Sequence, residues 1–302
     1  MSLDSDLAFF VLLARKESFS GAALAMSVST PAVSKRLAKL ENRLGVRLLN
    51  RTTRRVSLTS EGEVYLHAAE RILRDIQDLE QGVTKATETP QGLLRINATF
   101  GFGREHVASV VSEFATRYPA VEVQLILSDA PMNLVEEGID LGIRFGTPPN
   151  NRLVARRLLA NRRFLCATPA YLERCGTPRK LSDLSNHNCI ILRQDFDTYD
   201  VWKLQHGQET ASIKVRGSLS SNDGEVAMKW VLDDHGIMLR SEWDISRHVR
   251  TGRLGLVLPK YSQIDADIYA IYPARHNLSA RIHVFVDFLS KRLSAGSGAP
   301  GN

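Results

Sequence analysis

Ser34, Lys35, Arg36 and Lys39 lie in the stretch STPAVSKRLAKLE (residues 29–41), on faces that Val33, Leu37 and Leu40 leave free at helical spacing. Hydroxyl, ammonium and guanidinium donors in this pattern can grip phosphate oxygens and reach base edges. The same pattern also serves an ordinary solvated helix, so its neighbours must decide. Catalytic chemistries lack their residues here. There is no HExxH, no GxSxG and no phosphate-cradling Walker A run, and the eight histidines (67, 106, 187, 206, 235, 248, 276, 283) are scattered without metal-ligand spacing. Cys166, Cys175 and Cys189 form no CxxC, so they read as reduced thiols rather than a disulfide framework or a zinc site. No enzyme, metal or cofactor is expected.

The elements around residues 29–41 supply the missing context. Within residues 15–59, ten bases (15, 16, 35, 36, 39, 43, 47, 51, 54, 55) stand against Glu17 and Glu41, whereas the whole chain carries a formal net charge of +6. Such a block on one short module is the footprint of a polyanion partner. Leu7, Phe10, Val11 and Ala14 predict a first helix. SFSGAALAM predicts a second, capped by Ser18 or Ser20 and carrying small residues that allow a close crossing. A third begins at Ser29 or Thr30, takes Pro31 in its first turn and ends near Gly45. Two short helices joined by a tight turn make a helix-turn-helix. The β-branched residues around Asn50 to Arg55 then predict a hairpin wing bearing Arg47, Arg51, Arg54 and Arg55.

From residue 60 the charge reverses. Ser60 and Glu63 suggest a capping box, and Tyr65, Ala69, Ile72, Ile76, Leu79, Val83 and Ala86 repeat in steps of four and three, a heptad seam suited to a partner helix or to the helix's own domain. TETPQG (87–92) breaks the helix. Short β-rich runs then alternate with helical ones around 104–118, 131–138, 169–175, 223–234 and 279–293, an α/β pattern with mainly parallel sheets expected.

The segment SFSGAALAMSVSTPAVSKRLAKLENRLGVRLLNRTTRRVSLTSEG resembles the LysR-type transcriptional regulators: an Ala-Ala pair, then Ser-x-Pro-Ala-Val-Ser, Leu-Glu, Leu-Gly, Leu-Leu-x-Arg and a Leu-Thr-x-x-Gly close. The likeness continues through GLLRINATFGFG, FATRYPAVEVQL, EGIDLGIR and IYPARHNLSARIHVFVDFL, covering nearly the whole chain. It implies an all-α winged helix-turn-helix domain (1–59), a coiled-coil dimerisation linker helix (60–88) and an α/β effector domain of the type 2 periplasmic-binding-protein kind (89–295), with 296–302 a disordered tail. The effector domain would hold subdomain I (about 91–161 and 268–294) and subdomain II (about 162–265), joined by crossovers near 159–164 and 264–269.

The resemblance also assigns residues. Thr30, Pro31, Ser34 and Lys35 map to base-facing positions, with Lys39, Arg51 and Arg54 supporting the DNA backbone. Thr30 stands where many members have glutamine, and a threonine cannot bind adenine bidentately, so base preference at that step should differ. For the effector, Thr99, Phe100, Gly101 and Gly103 form a strand-to-helix turn whose amides could hold a carboxylate. Ser128, Phe145 and Asn222 sit at other strand ends, with Arg144 a charge partner, although Asn222 or Asp223 could simply cap a helix. The implied partners are double-stranded DNA at a pseudo-palindromic operator, a small organic acid and further copies of the chain in a homodimer or homotetramer. No signal peptide or membrane span is read, and the cytoplasm is expected. Two alternatives remain: control by thiol redox state through Cys166 and Cys175, or a cytosolic solute-binding protein.

Overall fold

The computed structural model describes residues 3–51, 56–83, 90–129, 132–146, 153–193, 200–263, 265–274 and 279–296. The chain divides into two compact units, Met1–Glu88 and Thr89–Asn302. Among the described residues no helix is long and apolar enough to cross a membrane.

In the first unit, α1 (Leu3–Lys16), α2 (Phe19–Ala25) and α3 (Thr30–Leu44) bury Phe9, Phe10, Leu13, Ala22, Val33, Leu37 and Leu40 together. Ser18 caps α2, its hydroxyl accepting from the Gly21 N–H at 3.2 Å. Pro31 lies in the first turn of α3, and Gly45 ends it in the left-handed conformation (φ 73°), where a side chain would be strained. Glu41 is more than a surface charge. It is buried, and its carboxylate accepts from the Leu48 and Leu49 N–H groups at 2.9 and 3.3 Å, fixing the exit from α3 into the antiparallel pair β1 (Leu49–Arg51) and β2 (Val56–Leu58).

The cap of α4 (Ser60–Val83) is Thr59 rather than Ser60: its hydroxyl accepts from the Gly62 N–H at 3.0 Å and donates to the Arg47 carbonyl at 2.7 Å. Gly62 must stay bare, because a Cβ there would overlap the Leu48 carbonyl. The expected seam is divided. Tyr65 and Ala69 pack with Leu66 and Leu73 against Leu7 and Val11 of α1, and Tyr65 meets Phe10 edge to face. Ile72 (40% exposed) and Leu79 (62%), with Val64 (72%), remain an outward stripe. Burial on α1 thus claims the first turns of a pattern whose spacing suits either a partner helix or the helix's own domain. The Val83 side chain and Ala86 lie outside the described residues, as do 84–88 of the expected linker and 297–302 of the expected tail.

The second unit holds two five-stranded sheets. The first runs β4 (Val121–Ser128), β3 (Gly92–Thr99), β5 (Leu141–Phe145), β14 (Ile268–Pro273), β6 (Leu153–Leu159); the second runs β11 (Ser220–Ser221), β8 (Cys189–Leu192), β12 (Ile237–Ser241), β7 (Arg163–Ala167), β13 (Gly255–Val257). Both are mixed, which corrects the expectation of mainly parallel sheets. In the first, β3 pairs parallel with β4 and β5, but β14 pairs antiparallel with β5 and β6; in the second, β8 pairs parallel with β11 and β12, and β7 antiparallel with β12 and β13. The chain leaves one sheet, builds the other and returns. The strands at each passage therefore run against their neighbours.

The passages themselves are tied together. Asn161, buried, donates to the Ala266 carbonyl at 2.8 Å and to Ser241 Oγ at 3.3 Å, while its own N–H is held by Asp267 Oδ1 at 2.9 Å. Arg163 and Gln263 exchange backbone hydrogen bonds at 3.1 and 2.8 Å. Over the first sheet, α5 (Phe100–Phe102), a π-helical turn (Gly103–Val107) and α6 (Ala108–Arg117) follow one another, with α10 (Ala280–Gly296) beside them. The second is packed by α7 (Pro169–Cys175), α8 (Gly224–Leu232) and α9 (Glu242–Arg250), with the hairpin β9 (Val201–His206) and β10 (Glu209–Lys214) alongside. The helix expected at 131–138 is a run of turns at 134–138, held by bonds such as Ile139 N–H to the Leu134 carbonyl.

Candidate functional site

The exposed face of α3 is sorted by its own neighbours. Arg36 lies over the Phe9 ring (4.6 Å) and pairs with Asp6 (3.5 Å), and Arg43 pairs with the same Asp6 (3.2 Å). Those cations are turned back onto α1. Thr30, Pro31, Lys35 and Lys39 are exposed and Ser34 is half-buried beside them, so positions 31, 35 and 39 form one outward row a helical turn apart. A helix presenting donors along one row while burying Val33, Leu37 and Leu40 can lie in a major groove with little rearrangement. Arg51 closes β1 with its side chain outside the described residues, and Arg54 lies wholly outside them.

In the second unit a cavity of about 180 Å³ opens between the two sheets. Thr99, Phe100, Gly101, Phe145 and Asn222 line it, which brings together five of the eight residues expected there. Thr99 precedes α5 and makes no capping bond with its side chain. Gly103, Ser128 and Arg144 are not in the wall. Gly103 serves packing, because a Cβ there would overlap Leu127 Cδ2 and lie 3.3 Å from Ala98 Cβ. Ser128 accepts from Asn97 Nδ2 at 3.0 Å. Arg144 is buried and donates to Asn97 Oδ1 (2.5 Å) and to the Ile143 and Met132 carbonyls (3.1 and 3.5 Å). Burial lowers its pKa to about 10, and its bonds tie the 132 segment to the sheet. Strand-end position did not reveal that Ser128 and Arg144 bond Asn97.

The wall also contains residues that sequence reasoning missed: Asp129, Arg163, Trp202, Arg240, Trp243 and Gln263. Arg240 is the most informative. Its side chain is only 9% exposed, its Nε is paired with Asp244 of α9, and its Nη atoms reach no protein acceptor among the described residues. The fork occupies space that Gly224 leaves open, since a Cβ on Gly224 would fall within the guanidinium. A buried, pre-positioned guanidinium with its terminal donors unused can accept an anion. The signal was an arginine closing an otherwise apolar strand, GIMLR, but nothing local told which way it faced.

Across the cleft mouth the two sides meet in polar pairs. Arg104, from the π-helical turn, bonds Asp223 at 3.2 Å and also Glu225, at the start of α8; Asn222 Nδ2 donates to Asp129 Oδ2. Burial pushes the Asp223 carboxyl up, but the N–H groups of Glu225 and Val226 and the Arg104 guanidinium outweigh it and hold the carboxyl below its ordinary range. So Asp223 is the cap of α8, and Asn222 faces the cavity. Deeper in, Trp243 meets both Phe102 and His106 edge to face, and burial lowers the His106 pKa against the pull of Glu105 and Asp244. No cysteine is among the residues lining the cavity, and Cys175 is exposed on α7. Burial raises Cys166 and Cys189 to about 12, which leaves neither as thiolate near neutrality.

Comparisons with known proteins agree on both units. Residues 5–63 match the family described as "Bacterial regulatory helix-turn-helix protein, lysR family", and residues 87–294 match the "LysR substrate binding domain". The chain is 42% identical over 289 residues to the HTH-type transcriptional regulator DmlR of Escherichia coli (strain K12), covering 96% of this chain and 94% of that protein. It is 40% identical over 299 residues to the HTH-type transcriptional activator TtdR of the same strain, covering 99% and 96%. Among solved structures, CrgA, a LysR-type transcriptional regulator from Neisseria meningitidis, superposes with a TM-score of 0.61 at 30% identity, covering 97% of this chain and 99% of that one.

Proposed function

The chain belongs to the LysR family of transcriptional regulators, and from that premise we propose that it binds a pseudo-palindromic operator in the cytoplasm under the control of a small organic acid. In this reading residues 1–59 read DNA, 60–88 join subunits into a homodimer or homotetramer, and 89–295 hold the effector between subdomains I and II. Thr30, Pro31, Ser34 and Lys35 face bases, with Lys39, Arg51 and Arg54 on phosphates. Thr99, Phe100, Gly101, Phe145 and Asn222 contact the acid. The outward stripe of Val64, Ile72 and Leu79 supports a helix-to-helix contact between copies.

One observation carries the effector reading: the buried fork of Arg240 opens into the cleft with no protein acceptor among the described residues. A cavity of about 180 Å³ is close to the ~150 Å³ that holds one benzene and below the ~300 Å³ where sites for drug-sized ligands begin, so the ligand is small. The ligand acts only through a difference in its affinity for two arrangements of the protein. The thiol-redox alternative, Cys166 with Cys175, finds no support at Cys166, which is buried with its pKa raised to about 12, while Cys175 is exposed.

The test is a thermal-shift series on the full chain with malate, tartrate, succinate and benzoate. A ligand at about 100 times its dissociation constant stabilises the fold by roughly 2.7 kcal/mol, a shift of several degrees. No shift with any acid, in protein that still binds DNA, rejects the organic-acid reading.

A further inference from the structure

The Arg240 fork owes its place to a residue without a side chain. Gly224 opens α8, where Asp223 caps the N–H groups that follow, and its φ lies outside the left-handed region, so alanine would suit both backbone and helix. At Gly236 a Cβ would run into the Asn188 carbonyl, a backbone collision that no side-chain rotation relieves. At Gly224 the three nearest atoms are Nη1, Nη2 and Cζ of Arg240, and a Cβ would overlap them all. Of the groups nearest to position 224, it is the fork that requires it bare.

The fork has little room to move aside. Asp244 holds its Nε, and the Trp243 ring centre stands 6.0 Å from its Cζ. From the turn after β3, Gly101 approaches so closely that a Cβ there would lie 3.6 Å from Nη2 and 3.7 Å from Trp243 Cη2. A guanidinium is planar and rigid, so its Nη atoms shift only if the whole plane turns. A methyl at 224 leaves two escapes. The fork can keep Asp244 and swing its Nη atoms into the cavity, filling part of about 180 Å³, or it can release Asp244 and lose its fixed direction. Either move removes the paired donors that a carboxylate would meet.

We infer that Gly224 is a specificity-determining position of the cleft: its missing side chain keeps open the seat of the Arg240 fork and so decides whether the cavity takes a carboxylate. The inference rests on the organic-acid reading above and names the position on which the charge selectivity of that site turns. Gly224 acts through Arg240, as a positioning residue.

The experiment is a double-mutant cycle on the full chain, with Gly224→Ala, Arg240→Gln and both together, titrated calorimetrically with malate, tartrate, succinate and benzoate. Gly224→Ala should weaken the tightest acid at least ~10-fold, the loss of a charged donor pair. In the Arg240→Gln background the same substitution should change affinity by no more than about twofold, because glutamine lacks the atoms that a Cβ would meet. Melting temperatures of the unliganded proteins complete the cycle: any fall caused by Gly224→Ala should vanish beside Arg240→Gln. They carry the test if Gly224→Ala does not fold or Arg240→Gln leaves no measurable binding, and a double variant less stable than Arg240→Gln then overturns the inference. A folded Gly224→Ala that binds acid like the wild type, or an equal loss in both backgrounds, also overturns it and leaves the organic-acid reading intact. Binding of no acid by the wild type, with DNA binding preserved, overturns that reading and the inference with it.

Discussion

The outward row of α3 and the wall of the cleft are both rich in donors, yet they are assembled in opposite ways. On α3, Thr30, Pro31, Ser34, Lys35 and Lys39 lie within ten residues, are mostly exposed, and are aimed by the burial of Val33, Leu37 and Leu40 beneath them. In the cleft, Thr99, Asp129, Arg163, Asn222 and Arg240 arrive from separate strand ends of two sheets, and the principal cation is nine-tenths buried. In the proposed function the first would work by exposed charges, whose screening by salt sets the strength of binding. The second would work by the position of one guanidinium, which Asp244 holds and salt scarcely reaches.

Substitutions should separate the two. The largest effect belongs to α3: Lys35→Ala should cost about 1–3 kcal/mol in binding to a duplex selected by the full chain, with a smaller loss on random duplex, while Arg54→Ala lowers both alike. Fluorescence anisotropy at several salt concentrations measures this, and affinity indifferent to salt would break the comparison on the DNA side. Next, Arg240→Gln should remove roughly 1.5–3 kcal/mol of acid binding, seen as a lost thermal shift, with DNA affinity in the absence of acid unchanged. An Arg240→Gln protein that still shifts like the wild type would place the anion elsewhere.

Smaller effects sharpen the picture. Glu41→Gln keeps an acceptor oxygen but removes the charge that strengthens two buried backbone N–H bonds, and should destabilise the first unit by about 1 kcal/mol, read by chemical denaturation. Arg104→Ala removes a partly exposed pair, so its cost should stay below about 1 kcal/mol and shrink further in salt. Its pH dependence has a definite sign. The Asp223 carboxyl is held low in the fold, so its contribution is present above the unfolded pKa and fades as the pH falls through the lowered one. Melting curves of wild type and Arg104→Ala should therefore converge on acidification.

Much of the first unit was legible because its logic is local. Ser18, Pro31 and Gly45 announce helix ends by chemistry that acts within one turn, and the structure places them so. Glu41 was not legible, since it acts on Leu48 and Leu49, brought near only when the chain turns back into β1; Thr59 was passed over for Ser60 although its bond to the Gly62 N–H acts within one turn, and only its bond to the Arg47 carbonyl depends on the fold. The same limit shaped the cleft. Thr99 and Phe145 were found through the family resemblance, which maps them to strand ends that line a cleft. Arg144 and Arg240 are both arginines near the ends of apolar strands, and only packing decides that Arg144 is spent on Asn97 while Arg240 opens into the cavity. Sheet direction was missed for a related reason: a chain that passes between two sheets and returns leaves no mark in any single strand.

The central claim is that one chain links the two sites, and linkage is reciprocal: an acid that changes DNA affinity must have its own affinity changed by DNA by the same factor. The most direct measurement is the affinity of the tightest-binding acid for the full chain, free and saturated with the selected duplex, beside the duplex affinity with and without acid. The account predicts two equal factors of about 5–150-fold, both lost in Arg240→Gln. Acid binding that is the same with and without duplex, together with duplex binding indifferent to acid, would contradict it.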